Sequence, residues 1–246
     1  MKIVLITQAR LGSTRFPNKI IKKIDSKTIL ATHLDRLKNS KIITDFIVAS
    51  TFEEDIYQIK ETAKKSDFSF YQGSTEDVLD RFYQSVKNKE IDYIVRVTSD
   101  CPLIDPSLVD NVINFTIENE LDYGSNILVE TFPDGQDVEV FTKNALETAW
   151  KKSTSKIDRE HVTLFIKENS SFLNGKLFKS DNYFSKENYR SIRMTVDHEE
   201  DLNAIKILVN NLGFNASWQE YSKFIIDNNL LFTNQNIIRN EGLINN

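Results

Sequence analysis

In the first half of the chain, short apolar runs alternate with stretches whose apolar residues recur every three or four positions. Ile3–Ile6, Phe46–Ala49, Phe68–Tyr71 and Tyr93–Val97 read as buried strands. Between them, Ile29–Leu37 puts Ile29, Leu30, His33, Leu34 and Leu37 on one helical face, and Glu54–Lys65 does so with Ile56, Ile59 and Ala63. Ser74 with Asp77 predicts a helix start continued by Val78, Leu79, Phe82, Tyr83 and Val86, and Asp105-Pro106 opens the next helix. Four alternations of strand and helix are the pattern of a parallel sheet covered on both faces. Ligands of such sheets sit beyond the carboxyl ends of the strands, here Thr7–Lys19, Ser50–Thr51, Gln72–Asp77 and Thr98–Asp105.

The second half is less regular. Val138–Phe141 and Tyr189–Val196 read as strands, and Lys143–Trp150, Asp158–Lys167 (capped by Asp158) and Glu200–Leu212 as helices, the last stopped by Gly213. Ser217-x-x-Glu220 is a capping box for a helix through Ile226. The polar residues after Thr233 read as a loosely held tail.

Composition removes several function classes. An apolar share of 40 % over 246 residues can fill a large core, and a net charge of −5 argues against bulk nucleic-acid binding. The single cysteine, Cys101, excludes a disulfide framework, and His33, His161 and His198 are too scattered for a metalloprotease helix. Neither G-x-G-x-x-G nor G-x-x-x-x-G-K-[ST] occurs, against a dinucleotide fold or a Walker-type loop. The apolar run at Ile3–Ile6 turns polar at Thr7, too short for a signal peptide, and no long apolar span follows. The expectation is a cytoplasmic chain with neither membrane nor nucleic-acid partners.

Two features carry chemistry. Gln8-Ala9-Arg10-Leu11-Gly12-Ser13-Thr14-Arg15-Phe16-Pro17-Asn18-Lys19 follows the first strand and sets Arg10, Arg15 and Lys19 around Gly12. Such a loop offers backbone N–H groups and three cations to a polyphosphate, though a solvated basic loop would have the same composition. The second is an echo: Arg96-Val97-Thr98-Ser99-Asp100 and Arg193-Met194-Thr195-Val196-Asp197 both read R-x-T-x-D. Strand periodicity puts Arg, Thr and Asp on one face of each. Two carboxylates meeting at the sheet edge would suit Mg²⁺, with Mn²⁺ as the alternative; the structural reading is a turn at Asp100 and a helix cap at Asp197. Asp77, Asp80 and Arg81 have the spacing of a surface ion pair. His161 suits a general base or a structural histidine equally. His33 belongs to the core, and Cys101 packs beside Asp100.

QARLGSTRFPNK, GSTEDVLDRFY (73–83), VRVTSDCPLID (95–105), FPDGQDVEVF (132–141), DREHVTLFI (158–166) and RMTVDHEEDL (193–202) occur in this order. In them the chain, to about residue 212, resembles the SpsF-like cytidylyltransferases of spore-coat polysaccharide synthesis, relatives of the CMP-sialate and CMP-KDO synthetases. The resemblance implies an α/β fold: a Rossmann-like, mostly parallel sheet of the glycosyltransferase-A/nucleotidyltransferase type with a small β-extension in the second half. It implies one domain over 1–233, with a nucleotide part at 1–121, an acceptor part at 122–212, a helical end at 213–233 and a tail at 234–246. It implies CTP as substrate, Asp100 and Asp197 as Mg²⁺ ligands, and Arg10 and Lys19 as catalytic cations. Gln8, Ala9, Arg10, Leu11, Gly12, Ser13, Arg15, Lys19, Gly73, Asp77, Arg81 and Ser99 would bind the nucleotide, and Gln136, Asp137, Glu139, Arg159, Glu160 and His161 the acceptor. His198 and Gln136 depart from the family, which more often carries Thr and Leu there.

The expected reaction is CMP transfer from CTP to a small anionic acceptor, with loss of pyrophosphate, in surface polysaccharide (capsule or coat) synthesis. Cations beyond those CTP needs, at Arg96, Arg159, His161 and Arg193, favour a phosphorylated amino-acid, polyol or sugar acceptor; the alternative is an acid sugar giving a CMP-sugar. A homodimer is expected through residues 125–142 and 176–192. Against a glycosyltransferase stands the absence of any Asp-x-Asp. Against a non-catalytic module stands the presence of the cationic loop and both aspartates.

Overall fold

The computed structural model describes residues 1–13, 15–52, 56–229, 232–237 and 239. In chain order its first half contains β1 (Ile3–Ala9), β2 (Lys23–Ile24), β3 (Lys27–Thr28), α1 (Ile29–Leu37), β4 (Asp45–Thr51), α2 (Tyr57–Lys65), β5 (Ser69–Gly73), α3 (Val78–Val86), β6 (Tyr93–Thr98) and α4 (Pro106–Glu118). The second half adds β7 (Tyr123–Ser125), β8 (Glu139–Thr142), α5 (Lys143–Lys152), α6 (Lys156–Glu160), α7 (Leu164–Glu168), β9 (Ser180–Asn182), α8 (Glu199–Leu212) and α9 (Trp218–Asp227).

Seven strands form one sheet in the order β5-β4-β1-β6-β8-β7-β9. The first four are parallel, with β1 flanked by β4 and β6. β8 enters antiparallel between β6 and β7. The expected α/β architecture is present, and its β-extension is a continuation of the main sheet at one edge. Alternation in β1 builds two cores: Ile3 and Leu5 face α1, α2 and α4, while Val4 and Ile6 face α3, α5 and α7. A third core joins α8 and α9 to Ile24, Leu103, Met194 and Val196.

Local signals explain most boundaries. Asp105 caps α4 from Oδ1 to the Ser107 N–H at 2.8 Å, with Pro106 in the first position. Ser217 and Glu220 form the expected capping box at α9. At α3 the cap is Asp77, whose Oδ1 accepts from the Asp80 N–H, while Ser74 Oγ accepts from the Asp77 N–H. Glu54, expected to begin α2, lies outside the described residues.

Three expectations are corrected. The start of the tail read as loosely held after Thr233 is a 3-10 turn, Thr233–Asn236, with Asn234 fully buried and bonded to Asp201. The helix read over Asp158–Lys167 is two pieces, α6 and α7, and its cap is Ser155, with Asp158 in the first turn. The break falls at Val162, whose φ of 55° puts a β-branched residue in the left-handed region, at a cost on the order of 1–3 kcal/mol. Tyr189–Val196 is not a strand. Its donors go to scattered acceptors: Arg193 N–H to Gln235 Oε1, Met194 N–H to Asp134 O and Val196 N–H to Asp100 O. Alternating apolar residues bury Ile192, Met194 and Val196 without any ladder.

Candidate active site

The residues of the cationic loop leave the carboxyl end of β1. Gln8 and Ala9 are its last residues, and Gln8 Oε1 is buried without a hydrogen bond among the described residues. Leu11 O accepts from the N–H groups of Ser13 and Asn18, folding the loop back, while Arg10 and Gly12 are exposed. Thr14 lies outside the described residues. The loop closes on a 3-10 turn, Lys19–Ile21, which swings Lys19 inwards.

There the two halves of the chain meet. Lys19 Nζ donates to Asp100 Oδ2 and to Asp197 Oδ1, each at 2.7 Å. Arg15 Nη2 lies 3.0 Å from the same Asp197 oxygen. The echoed segments are tied directly by the Val196 N–H donating to Asp100 O at 2.9 Å, and Thr195 reaches Cys101. Burial works against the Lys19 charge, yet Asp100 and Asp197 hold its ammonium above the ordinary lysine value. Burial also works against the Asp100 carboxylate, and Lys19 holds it well below the usual range.

The donor set is two carboxylates converging on one point. No group of three or more His, Cys, Asp or Glu suited to a metal occurs among the described residues. Mg²⁺ commonly takes one or two protein carboxylates and completes its shell with phosphate oxygens and water, so these two residues fit that ion beside a nucleotide.

Behind Asp197 stands a buried ion network. Arg193 Nη1 donates to Asp134 Oδ2 at 2.7 Å, and Nε and Nη2 donate to the two Asp201 oxygens at 2.8 and 2.9 Å. Arg193 Nη2 also lies 3.5 Å from Asp197 Oδ2. Burial, with Asp137 alongside, raises the Asp134 carboxyl against the pull of Arg239 and Arg193. The fold brings this network against the site through Gly135: at φ 99°, a Cβ there would lie 2.7 Å from the Met194–Thr195 peptide.

The other nucleotide candidates line the ends of neighbouring strands. Gly73 ends β5, where a Cβ would meet Arg81 Cγ at 2.9 Å. Arg81 is 2 % exposed, so the surface ion-pair reading of that helix is corrected. Asp77 pairs instead with Arg159 Nε at 2.6 Å, and Ser99 is buried beside Asp100.

The acceptor candidates divide. Gln136 is fully buried, its Oε1 accepting from the Asp105 N–H and its Nε2 donating to Leu103 O; its acceptor role is corrected to a structural one. Glu139 is buried among Arg96, Lys167, Tyr123 Oη and Thr163 Oγ1, which engage its carboxylate inside the fold. Arg159 is held by Asp77 and by the Trp150 and Ser153 carbonyls. Asp137 binds Arg239 Nη2 at 2.5 Å. Glu160 is exposed and His161 half-buried; burial pulls the His161 imidazole down, with Arg96 and Lys167 adding to it against Glu160. The surplus of cations read from the sequence is therefore largely spent on internal carboxylates.

Lys167, Asp134, Asp201 and Arg239 join these clusters unannounced. Asp134 and Asp201 sat inside recurring motifs, whereas nothing in the sequence around Lys167 or Arg239 marked them.

Comparison with known proteins gives the family of the chain. The cytidylyltransferase family matches residues 4–235. The chain is 30 % identical over 216 residues to the spore coat polysaccharide biosynthesis protein SpsF of Bacillus subtilis, covering 86 % of this chain and 88 % of that one. It is 40 % identical over 203 residues to an uncharacterized protein of Methanocaldococcus jannaschii, covering 82 % and 80 %. Among solved structures, a cytidylyltransferase from Leptospira borgpetersenii matches at 33 % identity and a TM-score of 0.89, over 97 % of this chain and 100 % of that one.

Proposed function

The chain belongs to the cytidylyltransferase family, and from that premise we propose that it transfers CMP from CTP to a small anionic acceptor with release of pyrophosphate. One observation carries the reading: Lys19, Arg15, Asp100 and Asp197 converge at the edge where parallel-sheet enzymes bind ligands. An acceptor oxygen attacks the α-phosphorus in line, the bond to the bridging oxygen of pyrophosphate breaks, and its electron pair leaves with the pyrophosphate. Such a reaction needs positioning and charge neutralisation more than covalent catalysis. Mg²⁺ or Mn²⁺, held by Asp100 and Asp197, would supply charge at the phosphate oxygens. Arg10, Arg15 and Lys19 neutralise the departing pyrophosphate, and the loop N–H groups around Gly12 bind phosphate.

The acceptor stands between two classes. With Arg96, Arg159 and Arg193 engaged by carboxylates, the case for a phosphorylated acceptor weakens. A sugar hydroxyl needs a base, and half-buried His161, whose imidazole burial pulls below its ordinary value, suits that role. These contacts support an acid-sugar acceptor and a CMP-sugar product in this reading; a role in surface polysaccharide synthesis follows the SpsF likeness. The described residues form no helix long and apolar enough to cross a membrane. A cytoplasmic location and a homodimer belong to the same proposal.

The test supplies CTP and Mg²⁺ with acid sugars or phosphorylated metabolites, follows pyrophosphate and identifies the product by mass. A CMP-sugar supports the acid-sugar reading, and a CDP-linked product from a phosphorylated acceptor reverses it. No CTP-dependent pyrophosphate with either class overturns the activity.

A further inference from the structure

Asp197 lies on a segment with no strand ladder, held by single backbone bonds such as Val196 N–H to Asp100 O and by side chains. The principal side chain is Asp201, fully buried at the start of α8. Its Oδ2 accepts from the backbone N–H groups of Asp197 and His198, both at 2.9 Å, and from Arg193 Nη2. Its Oδ1 accepts from Arg193 Nε and, at 3.0 Å, from Asn234 Nδ2. Asn234 is itself fully buried, in the 3-10 turn Thr233–Asn236. The next residue clasps the other partner: the Arg193 N–H donates to Gln235 Oε1 at 2.8 Å, and Gln235 Nε2 donates back to Arg193 O at 3.1 Å. Gln235 Nε2 also donates to Asn234 Oδ1, joining the two amides.

A segment that only needed to dock would do so with apolar side chains. Burying an amide is costly unless its hydrogen bonds are made, and here both amides spend theirs on Arg193, Asp201 and each other. Beyond the turn, Arg239 fastens the same segment to Asp137 and to Phe132 O. We propose that Asn234 and Gln235 are positioning residues for Asp197: they fix Arg193 and Asp201, which fix the carboxylate that meets the cation. The inference rests on the reading of Asp197 as a metal-holding residue.

The experiment compares Asn234→Ala, Gln235→Ala and Asp197→Asn in the full chain with wild type. Mn²⁺ affinity in the presence of CTP is read by electron paramagnetic resonance, alongside kcat, KM for CTP and the thermal midpoint. Loss of an outer-shell partner costs roughly ten- to hundredfold in metal affinity or activity. Asn234→Ala and Gln235→Ala are expected at the lower end, about tenfold in both Mn²⁺ affinity and kcat, with KM for CTP little changed. If Asn234→Ala does not fold, Gln235→Ala carries the same expectation. Wild-type Mn²⁺ affinity and kcat in the folded variants, whatever the thermal midpoint, overturn the inference while leaving the metal assignment intact if Asp197→Asn still weakens Mn²⁺. Wild-type Mn²⁺ affinity in Asp197→Asn overturns both.

Discussion

Lys19 Nζ stands 2.7 Å from Asp100 and 2.7 Å from Asp197, residues 81 and 178 positions further along the chain. Its ammonium therefore competes with a divalent cation for the same oxygens. Lys19→Gln removes the competitor, so Mn²⁺ should bind the nucleotide-free protein several-fold more tightly, while turnover of CTP falls by about 10²-fold for want of charge at the leaving group. A Mn²⁺ titration without nucleotide checks the first half; weaker binding than wild type would refute it.

Asp100→Asn and Asp197→Asn each keep the shape and remove the charge. Turnover at saturating Mg²⁺ should fall by at least ~10²-fold in each, with far-ultraviolet circular dichroism unchanged. Near-normal steady-state rates in both would sink their assignment as cation ligands.

Arg15 Nη2 meets Asp197 Oδ1 at 3.0 Å. Assigned to the outer phosphates, it should matter more for CTP than for CMP. Calorimetry of Arg15→Ala with each nucleotide decides this, and equal losses would place the guanidinium elsewhere.

Gln136 holds two buried backbone groups, the Asp105 N–H and the Leu103 carbonyl. Gln136→Leu leaves both without that partner and should cost about 1–3 kcal/mol in urea unfolding. KM for the acceptor should not move. A rise in KM at unchanged stability would restore the acceptor role.

His33 is fully buried, donating from Nδ1 to Cys101 O and accepting at Nε2 from Thr7 Oγ1. Burial lowers its imidazole from 6.5 to about 4. The unfolded chain therefore takes up the proton first, so this contribution is complete above pH 6.5 and is lost as pH falls towards 4. Between pH 7 and 5 the loss is about 2 kcal/mol. In His33→Gln the stability difference between these two pH values should shrink by that amount; an unchanged difference would mean His33 is not the group titrating.

The sheet was legible because β1, β4 and β6 are largely buried on both faces, which writes them as short apolar runs, and even the half-buried edge strand β5 packs Phe70 and Tyr71 against the two cores. The R-x-T-x-D echo pointed to two aspartates that do meet, at Lys19, but by a partly wrong route: Arg193–Asp197 is irregular chain, and its alternation reflects burial of Met194 and Val196. Side-chain partnerships were not legible. Arg159 finds Asp77 and Arg239 finds Asp137 across 82 and 102 residues, distances at which no local pattern exists. For the same reason the sequence made the acceptor side look richer in available cations than it is.

The place of β8 in the sheet has a consequence for the order of assembly during synthesis. Strands β5, β4, β1 and β6 can pair as soon as residue 98 has emerged, but the outer edge of β6 stays open until β8 arrives. Asp197 follows later still, and Asn234 and Gln235, which bond its neighbours Asp201 and Arg193, come later again. A ribosome releasing the chain from its amino end thus presents Lys19 to Asp100 alone between the release of residue 100 and that of residue 197. A nascent chain halted before residue 197 would carry a folded sheet in which Lys19 has Asp100 but not Asp197 to meet.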